Sequence, residues 1–292
     1  MLSIVGQLIF DGLAMGLVYV ILAAGLILII NVSRILFIAY GQFYMIGAYA
    51  VWYGLNLLRL PYFFALPVGV LTAAILGMLS YILIFQRVQR KGGQFLQTIM
   101  AALGLSLIIG QGGLLIFGTL WRSIPPVFPG IFEVFGIIMV ADKVALMGLG
   151  LTVTLFLFWV YEKTNIGRAM RTVSFLPEAA SLQGVNVNRV YIVTFGIGAA
   201  LAGFAGGIMA PSYGINPAMG NTILISVLLM TMLGGLGSLM GAVAGGLVVG
   251  MILSFGQFYI GGTVQIVLFL IIGVVIFFRP GGLVGRLPGM GV

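Results

Sequence analysis

The only carboxylates in the sequence are Asp11, Glu133, Asp142, Glu162 and Glu178. There is no Cys and no His, so thiolate chemistry, imidazole acid–base work and the commonest metal ligands are all missing. Phosphate binding by a glycine-rich turn needs a lysine that follows glycine. Lys91, Lys143 and Lys163 follow Arg90, Asp142 and Glu162 instead. No catalytic residue, metal or cofactor is therefore expected. If the chain takes part in ATP-driven work, the ATPase must be another subunit. Asp11 lies closest to the interior of an apolar run, a turn or so inside its outer end. It reads either as an interfacial carboxylate or as the one candidate for ion coupling.

These few polar groups sit in a very apolar chain. Only 6% of its 292 residues are Asp, Glu, Lys or Arg and 62% are hydrophobic, against about 25% charged in a soluble domain. So little polar surface cannot cover a soluble core of this size. Soluble enzymes and nucleic-acid-binding domains are excluded, and an all-α, polytopic transmembrane helix bundle is expected. Met1-Leu2-Ser3-Ile4-Val5 lacks a basic signal-peptide start, and the run continues to about Ile30, so it reads as a retained first span.

About 20 apolar residues cross a bilayer core. By that length, full spans are expected near 7–30, 36–55, 62–85, 95–118, 144–161, 190–210, 239–256 and 263–278. The stretch 221–233 is shorter and reads as a half-helix or re-entrant segment. Alternate loops collect Arg34, Arg87, Arg90, Lys91, Lys163, Arg168, Arg171, Arg189, Arg279 and Arg286, whereas the opposite loops hold Arg59, Arg122 and Lys143. Basic loops stay cytoplasmic, which puts the N-terminus outside and the C-terminus inside, with 1–292 as a single transmembrane domain. The external loop at about 119–143 holds Trp121, Pro125, Pro126, Pro129, Glu133 and Asp142 and suits a lid or half-helix. The cytoplasmic loop at about 162–189 is the most polar stretch.

Glycines recur one turn apart at Gly12 and Gly16, Gly203 and Gly207, Gly237, Gly241 and Gly245, and Gly246 and Gly250. Such ridges let helices pack closely in lipid. Gly234-Gly235 followed by Gly237 is dense enough to break a helix near 234–238. A faint echo joins Ala39-Tyr40-Gly41 to Ala218-Met219-Gly220, each ahead of an apolar run. Transporter folds are often built from repeats.

In the cytoplasmic loop, Pro177-Glu178-Ala179-Ala180-Ser181-Leu182-Gln183-Gly184 places Pro at a first helical position and Glu in the first turn, and ends on Gly. A short helix in water, flanked by Arg168, Arg171 and Arg189, fits either a docking element or a plain connector. Its Glu-Ala-Ala-x3-Gly resembles the coupling loop of ABC-transporter permeases, without the Ile-x-Leu-Pro ending of the maltose-type branch.

Nearly the whole chain resembles the branched-chain amino acid permease family, its H-type (LivH-like) membrane subunit. The resemblance is carried by Leu36-Phe37-Ile38-Ala39-Tyr40-Gly41-Gln42-Phe43-Tyr44-Met45-Ile46-Gly47-Ala48-Tyr49 and by Gly167-Arg168-Ala169-Met170-Arg171. Three later motifs follow: Gly198-Ala199-Ala200-Leu201-Ala202-Gly203, Gly234-Gly235-Leu236-Gly237-Ser238 and Arg279-Pro280-Gly281-Gly282-Leu283.

The resemblance implies an importer subunit in a bacterial or archaeal inner membrane, surrounded by lipid and without a nucleic-acid partner. It implies two cytoplasmic ATPases, a second (M-type) permease and an extracytoplasmic binding protein. Glu178, Ala179, Ala180 and Gly184, with Arg168 and Arg171, would couple to the ATPases. Phe37, Tyr40 and Gln42 stand where the family often has Asn, His and Glu, so urea or short amides stand beside branched-chain amino acids as cargo. Tyr40, Gln42, Asn216 and Ser238 are candidates to line the path. Asn216 could instead cap a turn before Pro217, and Tyr40 could be a packed aromatic. An ion-coupled carrier or channel is the alternative.

Overall fold

The computed structural model describes residues 2–90, 92, 95–128, 130–134, 137–235, 237–279 and 281–283. Met1, Lys91, Pro129, Leu236, Pro280 and Arg286, named above, lie outside them, and of Glu133 the backbone alone is described.

Helix α1 runs Leu2–Ser33, α2 Tyr40–Asn56 and α3 Tyr62–Ser80; a π-helical turn, Tyr81–Phe85, then leads into α4, Gln86–Arg90. Helix α5 spans Phe95–Phe117, and strands β1, Ile131–Val134, and β2, Ile137–Val140, precede α6, Ala141–Lys163. The remaining helices are α7 Asn165–Phe175, α8 Pro177–Leu182, α9 Val187–Tyr213, α10 Met219–Gly234, α11 Leu239–Tyr259 and α12 Val264–Phe278.

Among the described residues, seven helical segments are long and apolar enough to cross a membrane: 4–33, 62–90, 95–117, 141–163, 187–213, 239–259 and 261–278. Two more are shorter than the roughly 20 residues a crossing needs: α2 has 17 residues and α10 has 16. The expected full span at 36–55 is therefore a shorter helix that starts only at Tyr40, after non-helical chain from Arg34 to Ala39. Phe63, Phe64, Leu107, Ile108, Leu115, Phe269 and Phe277 stand exposed on the long helices, as befits side chains whose solvent is lipid.

Two expectations need correction. The chain is mostly but not wholly helical, because the loop at about 119–143 closes with an antiparallel hairpin that pairs Ile131 with Val140 and Val134 with Ile137. Its Ile, Phe and Val residues favour strand, and a short apolar run cannot be told from helix by periodicity alone. That hairpin stands where a lid or half-helix was expected. Gly237 is not a packing residue either: it lies in the turn between α10 and α11, and a Cβ there would meet nothing within 4 Å.

The chain forms two compact units, Met1–Ile27 with Pro125–Thr154 and Ile225–Val292, and Leu28–Ile124 with Leu155–Leu224. In the first, α1 lies against α11 with almost no side chain between them. A Cβ on Gly250 would fall 2.4 Å from the Gly16 Cα, and one on Gly246 2.6 Å from the Val20 nitrogen. Gly234 and Gly241 meet in the same way, each with a hypothetical Cβ within 2.3 Å of the other's carbonyl oxygen, and Gly245 faces the Met230 carbonyl. Asp11 pairs with Lys143 at 2.7 Å, both side chains 28% exposed.

In the second unit α2, α3 and α9 form the core. A Cβ on Gly47 would lie 2.3 Å from Gly203, and one on Gly206 2.0 Å from the Tyr44 carbonyl oxygen. Gly203 also faces Ala73, and Gly207 faces Leu66 and Val51. This contact buries almost every residue of α2 from Tyr40 to Tyr49. Phe37, just ahead of α2, centres an aromatic cluster with Phe43, Phe85 and Phe195 at 4.9–5.6 Å.

These contacts predict that Gly206→Val destabilises the protein by about 1–3 kcal/mol or more through overpacking. Gly237→Ala should stay within about 0.5 kcal/mol. Thermal unfolding of the purified variants in detergent checks both.

Candidate coupling surface and polar cluster

At the polar end of the second unit, α6 gives way to α7 through a tight elbow. Thr164 caps α7, its hydroxyl accepting the Gly167 N–H at 3.1 Å. A Cβ on Gly167 would collide with the Tyr161 carbonyl oxygen. Arg171 lays its guanidinium over the Tyr161 ring, 5.3 Å from the centroid, and donates to the Tyr161 and Glu162 carbonyls, the latter at 3.2 Å. It thus satisfies carbonyls that the end of α6 would leave open. Arg168 is exposed and donates to Asn165. The sequence reading missed α7; its signal was Thr164 as cap, with Gly167, Met170 and Val173 buried at helical spacing.

The expected short helix follows. Pro177 opens α8, and only Ala180 of this helix is buried. Gly184 ends the turn at φ +83°, a conformation that disfavours side chains, while the Val185 N–H reaches back to the Ala180 carbonyl at 3.1 Å. Asn186 then caps α9 by accepting the Arg189 N–H at 3.1 Å. The surface offered outward holds Glu178 and Ala179, together with Leu182 at 90% exposed, Phe175 at 78% and Leu176 at 61%. Apolar side chains grouped on an otherwise polar loop mark an interaction surface.

The four candidate path residues divide. Gln42, only 1% exposed, donates from Nε2 to Asn221 Oδ1 at 2.7 Å and to Ser106 Oγ at 3.4 Å; its Oε1 has no partner. An unmade bond to such a buried group costs about 1–3 kcal/mol. Tyr40 and Tyr49 are also buried with hydroxyls that lack a partner, and Tyr49 stacks on Phe117 at 3.9 Å. Asn216 spends its side chain on a turn over Pro217, accepting the Ala218 N–H at 2.9 Å. Ser238, in the other unit, caps α11 by accepting the Gly241 N–H at 3.2 Å. Sequence reasoning missed Ser106 and Asn221, since neither carries a motif and Asn221 is 179 residues from its partner.

The family described as "Branched-chain amino acid transport system / permease component" matches residues 8–278. The chain belongs to this family. Among curated relatives, the high-affinity branched-chain amino acid transport system permease protein BraD of Pseudomonas aeruginosa is 29% identical, covering 96% of this chain and 95% of its own. LivH of Escherichia coli K12 is 27% identical with the same coverage. The probable permease LivH of Methanocaldococcus jannaschii is 28% identical over 77% of this chain and 72% of its own. Among solved structures, PsaBC from Streptococcus pneumoniae in complex with Fab has a chain that matches with TM-score 0.50 and 14% identity, over 93% of this chain and 91% of that one. That likeness concerns the fold alone. The protein is a multi-pass membrane permease subunit.

If Arg171 braces the elbow, Arg171→Met should speed tryptic cleavage after Lys163 and Arg168 by about tenfold through easier local opening. Arg171→Lys should fall between, because a lysine cannot make the stacked, two-carbonyl contact. Time-resolved peptide mapping of the detergent-purified protein checks this order.

Proposed function

We propose that this chain is one membrane subunit of an ABC importer for branched-chain or related amino acids, in the cytoplasmic (inner) membrane. It works as one permease domain over 1–292 beside an M-type sibling, over two cytoplasmic ATPases, and receives cargo from an extracytoplasmic binding protein. The relatives' printed names support the cargo class. The observation that carries the coupling role is the face of α8: a six-residue helix anchored by Ala180 that holds Glu178, Ala179 and Leu182 outward. Gly184 fixes where that helix stops, and Arg171 with Arg168 shapes the elbow before it.

Charge supports an orientation with the N-terminus outside, α8 in the cytoplasm and the C-terminus inside, since ten of the thirteen basic residues then lie in cytoplasmic loops. Nine crossings are needed for that alternation, so α2 and α10 count as crossings despite their length. An ion-coupled carrier finds less support, because Asp11 is already paired with Lys143. Gln42 and Tyr40 are the path residues whose polar atoms remain unspent.

The test is co-purification from native-level expression in mild detergent. Two P-loop ATPases and a second permease should accompany the wild-type chain. Glu178→Arg or Leu182→Glu should reduce ATPase recovery by about tenfold, the scale of one interface hot spot, with the permease pair retained. A chain that purifies alone, or ATPase recovery unmoved by both substitutions, would overturn the reading.

A further inference from the structure

The two short helices share more than length. Each starts after non-helical chain, residues 34–39 ahead of α2 and 214–218 ahead of α10. Their starts carry the same pattern, Ala39-Tyr40-Gly41-Gln42 and Ala218-Met219-Gly220-Asn221. The structure brings these starts together. A Cβ on Gly41 would lie 2.1 Å from the Gly220 carbonyl oxygen, and one on Gly220 2.9 Å from that of Gly41. One residue further on, the matched amides bond to each other at 2.7 Å. Short or interrupted apolar helices at corresponding places in a transporter's two halves point to its binding site.

The second observation is independent of the echo. Gln42 Oε1 is buried without a partner, although buried polar atoms are nearly always paired. Glycine backbone comes close to it: a Cβ on Gly220 would fall 2.7 Å from this oxygen and one on Gly110 3.5 Å. Ser106, half-way along α5, accepts from the other end of the same amide, Nε2, at 3.4 Å, and Asn221 is an exposed residue, so the cluster reaches a surface. Every hydrogen-bond partner of Gln42 is neutral.

We infer that Gln42 Oε1, on the amide whose Nε2 bonds Ser106, is a seat for an N–H donor of the translocated solute, and that the Gln42–Asn221 bond is the latch that parts to expose it. On the permease reading above, on which this rests, the donor is the ammonium of an amino acid.

This sequence holds no cysteine, so a single introduced thiol is the one labelled site on this chain, read out by mass spectrometry of the isolated subunit. In the complete importer in proteoliposomes, 2-aminoethyl methanethiosulfonate, a small reagent that carries an ammonium, should modify Ser106→Cys. The rate should differ by about tenfold between nucleotide-free and ATP-trapped states, as the open population shifts. Failure to reach this thiol in any nucleotide state would overturn the seat, whatever the cargo.

Uptake of labelled leucine delivered by the binding protein gives the second arm. Gln42→Met should lower it about tenfold, the scale of one lost hydrogen bond to a charged group, with the subunits still assembled. Gln42→Glu keeps an acceptor and should retain most uptake. A purely structural role predicts the reverse order, since a buried carboxylate is harder to accommodate than Met, and that order would overturn the inference. Wild-type importer that takes up no leucine while its Ser106→Cys form is still modified would count against the amino-acid cargo and for the seat.

Discussion

In lipid no hydrophobic force draws one apolar helix to another, so close backbone approach has to supply the cohesion. The second unit depends on one such contact. α2 meets α9 at Gly47 against Gly203 and at the Tyr44 carbonyl against Gly206, while Gly69 on α3 closes on the Gly47 carbonyl. Because backbones touch there, α2 is enclosed over its first ten residues. That enclosure strands the polar atoms of Tyr40, Gln42 and Tyr49 away from solvent. Packing thus creates the chemical opportunity: a few unmet polar groups inside an assembly too apolar to satisfy them.

The charged residues show the same economy of polar groups. Asp11 and Lys143 neutralise each other. Arg122 sits 4.1 Å over the Trp52 ring and donates to the Phe117 carbonyl, and its backbone bridges Ile215 in both directions. Asp142 accepts the Val127 and Phe128 N–H groups at the foot of the hairpin. Arg171 closes the end of α6. Each of these charges is thus spent on an ion pair, a cap or a stacking contact inside the fold.

Features written in local chemistry were legible in the sequence. Pro177 and Gly184 marked the start and stop of α8, the run of glycines at 234–237 marked the break between α10 and α11, and apolar length marked the long spans. Features that depend on distant partners were not. Gln42 and Asn221 are 179 residues apart, and only the fold shows that a weak tripeptide echo corresponds to two touching helix starts. Gly237 fits a small-xxx-small spacing with Gly241, yet spacing carries meaning only inside a helix, and Gly237 lies outside one. The hairpin was hidden because its apolar strands lie in a chain where nearly every run is apolar, so contrast was lost.

The exposed face of α8 and the polar cluster lie on one contiguous set of contacts. The Val185 N–H ties back to Ala180 of α8, and Asn186 then caps α9 directly, so little slack separates the exposed helix from the long one. Further along α9, Phe195 lies against Phe37, and Gly203 and Gly206 bear on α2. Helix α2 in turn carries Gln42. A displacement imposed on Glu178 and Leu182 therefore has a stiff path of packed backbone toward the Gln42–Asn221 bond. Close-packed contacts of this kind shift between discrete arrangements more readily than they deform. The glycines at Gly203 and Gly206 accordingly do two things: they hold α2 in place, and they let α9 bear on it with no flexible side chain between.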